Sequence, residues 1–202
     1  MSDGIFFNAM THCKRTTERW WIWGLVGCAI VPWCQLCFVV PAPAETMPEQ
    51  AYNVKAGFIY NFSIFTEWPE KAFDSPTAPI TVYVKKNTAA RDAFDVLKNK
   101  KIKSRGFVIK EFDNVNEILP SCHILYIDTS DKKTVEEILR KSRDGTILTV
   151  GDMEGFARMG GIINFYTENN KLRFEINVKA AKRAQLKLSS HLLKLARIIE
   201  ED

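Results

Sequence analysis

Cysteine and histidine are scarce in this chain, and the few present are poorly placed for chemistry. Of five cysteines in 202 residues, Cys13, Cys28, Cys34 and Cys37 crowd the N-terminus and only Cys122 lies further on. No internal disulfide can form beyond the N-terminal segment, so a disulfide-stapled small fold is excluded. The three histidines, His12, His123 and His191, offer no recognisable metal-ligand spacing. Cys122 and His123 are neighbours, and neighbouring residues of a strand point to opposite faces, which argues against a nucleophile–base dyad. Cys122 opens an apolar run and is expected to be buried. Phosphate-binding motifs are also missing. The stretch VGDMEGFARMGGIINF, residues 150–165, holds Gly151, Gly155, Gly160 and Gly161, yet it ends neither in the Gly-Lys-Ser/Thr of a Walker loop nor in a G-x-G-x-x-G. No cofactor and no metal are expected. Strong charge is lacking too: the net charge is +4, and +3 without Asp3, Lys14, Arg15, Glu18 and Arg19, too weak to imply a nucleic-acid partner.

The N-terminus is where the composition departs from ordinary globular usage. Lys14, Arg15 and Arg19 precede residues 20–40, which carry no charge, and Pro41-Ala42-Pro43-Ala44 follows. A positive flank, an apolar core and small residues before a break describe a secretory signal cleaved after Ala44. The alternative is an uncleaved anchor, because about 20 apolar residues suffice to span a bilayer. The expected organisation is a targeting segment, residues 1–44, and one domain, residues 45–202.

Beyond it, residues 47–68 predict a helix with Ala51, Val54, Phe58, Phe62 and Phe65 on its buried stripe. Gly57 in its middle suggests close approach to a neighbour. Short apolar runs follow at 80–84, 106–112, 124–127 and 147–150, interleaved with helical patterns near 89–97 and 129–143. Asp128-Thr129-Ser130 offers N-cap side chains and Gly145 a C-terminal stop. This rhythm argues an α/β fold, a mostly parallel central sheet with helices on both faces. Residues 162–167 and 172–177 then flank the polar turn Glu168-Asn169-Asn170-Lys171 and predict an antiparallel hairpin. In its second strand Leu172, Phe174 and Ile176 alternate with Arg173, Glu175 and Asn177, which predicts a polar, solvated face with a weak Arg173–Glu175 pair. Residues 180–199 predict a C-terminal amphipathic helix, with a break at Ser189-Ser190 as one option. The glycine loop is expected to connect the parallel sheet to the hairpin, with Phe156 packed back onto the core. Asp152 and Glu154 stand where α/β sheets place ligands, but alone they carry little weight.

The blocks VKAGFIYNFSIFTEWP (54–69), CHILYI (122–127), ILTVGDMEGFARMGGIINF (147–165) and RFEINVKAAKRAQLKLSSHLLKLAR (173–197) together resemble the YfiR family of exported proteins. The resemblance implies a non-enzymatic periplasmic protein that restrains a membrane-bound diguanylate cyclase, and with it cyclic-di-GMP output and biofilm formation. It also implies dimerisation, regulation through disulfides and an outer-membrane lipoprotein partner. The sequence departs from it in two respects: Cys122 matches a family cysteine, but Tyr83 occupies the strand where its partner would be expected, and the family's second disulfide has no counterpart, so internal redox switching is not expected here. Family members also accompany other sensors, so the alternative is a periplasmic small-ligand receptor feeding a different membrane sensor such as a histidine kinase. The expected partner surface comprises Arg173, Glu175 and Asn177 with Gly155 and Phe156 of the glycine loop.

Overall fold

A computed structural model of the chain describes residues 47–118 and 121–200. The expected export segment lies outside the described residues, and among them no helix is long and apolar enough to cross a membrane. In chain order the elements are α1 (Met47–Ile64), β1 (Thr66–Glu67), β2 (Ile80–Lys85), α2 (Ala89–Ala93), β3 (Lys101–Ile102), β4 (Arg105–Phe112), β5 (Ile124–Ile127) and α3 (Lys132–Ser142). They continue with β6 (Leu148–Gly151), β7 (Ile163–Glu168), β8 (Lys171–Asn177), α4 (Val178–Arg183), β9 (Lys187–Leu188), α5 (Ser190–Leu195) and β10 (Arg197–Ile199).

The main sheet has the order β10-β8-β7-β6-β5-β2-β4-β3. Strands β4, β2, β5, β6 and β7 run parallel, and the β7–β8 hairpin is antiparallel, with Phe165 opposite Phe174. The α/β architecture read from the periodicity is therefore present. Chain order reverses between β2 and β5, because β2 connects first to β4 on one side and the chain then returns to β5 on the other. In such sheets the carboxyl ends of the strands around the reversal are where ligands bind.

Side chains alternate across the sheet and build a core on each face. Ile80, Val82 and Val84 of β2 join Ile124 and Tyr126 of β5 beneath Ile59 and Phe62 of α1. Tyr83, Leu125 and Ile127 join Val135 and Ile138 of α3 on the other face. Cys122 belongs to this second cluster, with Tyr83, and is buried; burial pushes its thiol pKa up. His123 instead packs against Trp68 and Phe73, so the two neighbours do point apart.

Three expectations need correction. The buried stripe of α1 runs through Ala56, Ile59, Phe62 and Ser63, and Val54 is 51% exposed. Apolar residues surround most of this helix, so the spacing admits more than one stripe. A Cβ on Gly57 would meet nothing within 4 Å, so no neighbour requires a glycine there. The N-cap of α3 is Asp131, whose carboxylate accepts from the Thr134 backbone N–H at 3.2 Å, rather than Asp128-Thr129-Ser130.

The C-terminal helix is divided. Gln185 has a left-handed φ of 58° and ends the α4 spiral; Leu188 pairs with Thr66; Ser189 caps α5 through Leu192 N–H. Residues 197–199 then leave the helical path and add β10 to the edge of β8.

Candidate functional site

The glycine loop has a specific structural task. It joins β6 to the parallel strand β7 without a crossover helix, so something else must cover the sheet face below it. Phe156 does so and is fully buried. A Cβ on Gly151 would lie 2.9 Å from the Phe156 ring, and one on Gly161 only 2.1 Å from it. Those two glycines form the walls of a ring socket. Gly155 and Gly160 supply the turns around it, at φ 79° and 102°. The expectation that the loop connects sheet to hairpin, with Phe156 on the core, holds.

Beside the loop, the carboxyl ends of β5 and β6 bring two acids together with α1. Asp128 follows β5 and accepts from the Tyr52 hydroxyl at 2.9 Å. Asp152 follows β6, pairs with the Lys55 ammonium at 2.5 Å and faces the Tyr126 hydroxyl at 3.4 Å. Burial, and then the neighbouring Asp152 charge, raise the Asp128 pKa, while the Tyr52 hydrogen bond opposes that rise. Burial raises both tyrosines as well, so they remain protonated hydrogen-bond donors. The cluster ties the N-terminal half of α1 to the working edge of the sheet.

Asp152 also borders a cleft of about 590 Å3 that reaches the hairpin and is lined by Glu154, Gly155, Arg158, Tyr166 and Arg197, among others. Its floor corrects the expected solvated face of β8. Glu175 is 5% exposed and Asn177 fully buried. The Glu175 carboxylate accepts from the Asn164 amide at 3.0 Å and from the Arg197 guanidinium at 2.5 and 3.1 Å. Its cation is thus Arg197, supplied by β10, and Arg173 instead lies 3.8 Å from Glu168. Asn177 accepts from Ala180 N–H, capping α4, and donates to the Ala157 carbonyl at 2.8 Å. It therefore pins the glycine loop to the hairpin. The polar face is buried because β10 and the loop cover it, and neither was expected from the sequence.

Of the five expected contact residues, Gly155 and Glu175 meet at the cleft. Arg173 is exposed on β8, while Phe156 and Asn177 lie beneath the surface. The sequence reading missed Tyr52, Lys55, Asp128, Asn164 and Arg197. Its available signal was weak: Asp128 and Asp152 each stand directly after an apolar strand.

Chemically, this arrangement is one of paired charges and donor–acceptor groups. Asp152 and Glu175 each hold a cation. The model of the YfiR/HmsC-like family matches residues 52–197. The chain belongs to the YfiR/HmsC-like family. No curated protein matches the chain. Among solved structures, the crystal structure of a conserved domain protein from Vibrio cholerae O1 biovar El Tor strain N16961 is similar, with a TM-score of 0.51 and 10% identity. The similarity covers 73% of this YfiR/HmsC-like chain and 59% of the Vibrio chain. At that identity it concerns the fold alone.

Proposed function

We propose that the protein is a periplasmic repressor of an inner-membrane diguanylate cyclase, lowering cyclic-di-GMP and biofilm formation. The family match over residues 52–197 carries this reading. Residues 1–44 serve as a cleaved export signal, and residues 45–202 form the regulatory domain. Arg173 and Gly155 contact the partner, whereas Glu175, Asn177 and Phe156 shape the surface from below. A second copy and an outer-membrane lipoprotein are further partners in this reading. Cross-linking and purification of the tagged full chain from native membranes should recover a diguanylate cyclase, with Arg173→Glu reducing its yield. Recovery of no membrane sensor from a well-expressed strain would refute the proposal.

One observation favours a second reading, a receptor for a small ligand that signals to a sensor such as a histidine kinase. The cleft beside Asp152, at about 590 Å3, falls within the roughly 300–1,000 Å3 of small-molecule sites. A ligand at about a hundred times its dissociation constant adds ~2.7 kcal/mol of stability. A thermal-shift screen of nucleotides and amino acids would register that gain, and a flat response would dismiss this reading.

A further inference from the structure

At the other end of β6 from the acidic cluster, α3, α4 and the end of the glycine loop enclose a second, smaller cleft of about 170 Å3. Its apolar lining comes from Leu139, Ile147, Met159, Ile162, Ala180 and Ala184. The polar side chains in its wall are already engaged: the Ser142 hydroxyl donates to the Ile138 carbonyl at 2.9 Å, and Thr149 Oγ1 accepts from Ile162 N–H at 3.0 Å. Arg140, Arg143 and Arg183 line it as well, with Glu136 as the single acid. Glu136 lies 3.8 Å from Lys132. Arg140 and Arg143 are exposed and have no carboxylate partner among the described residues. Asp144 is exposed beside Arg143 in sequence but is not part of the lining.

We infer that this cleft is a docking groove for a segment of a partner protein that carries carboxylates around one apolar side chain. The volume selects the occupant. At about 170 Å3 the cleft falls below the roughly 300–1,000 Å3 of sites that enclose a whole small molecule, but it accommodates one inserted side chain. Charge selects the rest. Guanidinium groups recognise planar carboxylates through paired N–H donors, and arginine is enriched among the residues that dominate protein interfaces. The apolar floor would be reached by the anchor side chain while Arg140 and Arg143 hold the acids flanking it. The inference does not depend on the identity of the membrane sensor, because the cleft shares no lining residue with the one beside Asp152.

The probe is a fluorescein-labelled nonapeptide of Asp and Glu with one central Phe, titrated with the mature protein and followed by anisotropy. Binding should weaken at least tenfold when the Phe is replaced by Ser, and at least tenfold in the Arg140→Glu/Arg143→Glu variant. It should change less than twofold in Lys133→Glu, which makes the same kind of charge reversal on α3 outside the cleft. Circular dichroism melts confirm that each variant is folded, and Arg140→Ala/Arg143→Ala replaces the reversal if it is not. Equal affinity for the Phe and Ser peptides would reduce the site to general charge attraction and overturn the inference. So would tight binding to phosphatidylglycerol vesicles that the same substitutions abolish, since the groove would then serve a membrane surface. Absence of any anisotropy change at millimolar protein would overturn it too.

Discussion

At the scale of single residues, the charged groups that matter are the covered ones. Glu175 is held by Arg197 and Asn164 beneath the hairpin surface. Its removal leaves a cation and an amide without their acceptor. Glu175→Ala should therefore cost about 2–4 kcal/mol of unfolding free energy in urea titrations, against about 0.5 kcal/mol or less for exposed Arg173→Ala. Equal costs would mean that the buried Glu175 carboxylate has no special role. His123 makes a second residue-scale prediction. Its Nδ1 accepts from the Thr81 backbone N–H at 3.1 Å, so the proton sits on Nε2, which donates to the Ala72 carbonyl at 2.9 Å. Both nitrogens are satisfied only in the neutral form, and burial holds the pKa below its usual value. The folded state thus binds fewer protons than the unfolded one. Stability is full above about pH 6.5 and falls as pH drops from there toward the depressed folded value. Asp128, with a raised pKa, acts with the opposite sign and gains stability as its carboxyl protonates. Melts of the wild type and His123→Asn between pH 7 and 5 separate the two, because the substitution should remove the loss that begins near pH 6.5. An unchanged slope would assign that loss to another group.

At the scale of elements, the glycine loop is the clearest case of a motif whose role depends on its neighbours. Gly161 stands where any Cβ would enter the Phe156 ring. Gly161→Ala should destabilise the protein by about 1–3 kcal/mol, the usual range for overpacking. Normal stability would show that the socket is loose. Strand and helix alternation, the hairpin and the inward turn of Phe156 were all legible from period and turn residues alone. The burial of Glu175 and Asn177 was not. Alternation assigns those side chains to one face of β8, but whether that face meets water depends on β10, contributed by residues 197–199. The same limit explains the C-terminal helix, which in spacing reads as continuous or broken at Ser189-Ser190 and is ended earlier by a left-handed residue, Gln185, that no glycine or proline marks. The polar cluster at the strand ends was hidden for a related reason: Tyr52 and Asp128 come together only because α1 crosses the carboxyl ends of β5 and β6.

At the scale of the whole molecule, the fold places two separate clefts beside the glycine loop. One is the cleft beside Asp152 and the acidic cluster; the other is the arginine-rimmed groove between α3 and α4. The sheet that carries them is packed on both faces, so a contact at either cleft is made on a rigid support. The central claim is that the protein lowers cyclic-di-GMP from outside the cytoplasm. The direct measurement is the intracellular cyclic-di-GMP level, by mass spectrometry, in a strain deleted for the gene and in strains complemented with the full chain or with residues 45–202 alone. The account predicts that deletion raises the level, that the full chain restores it, and that the chain without its export segment does not. An unchanged level on deletion, or restoration by residues 45–202 retained in the cytoplasm, would contradict it.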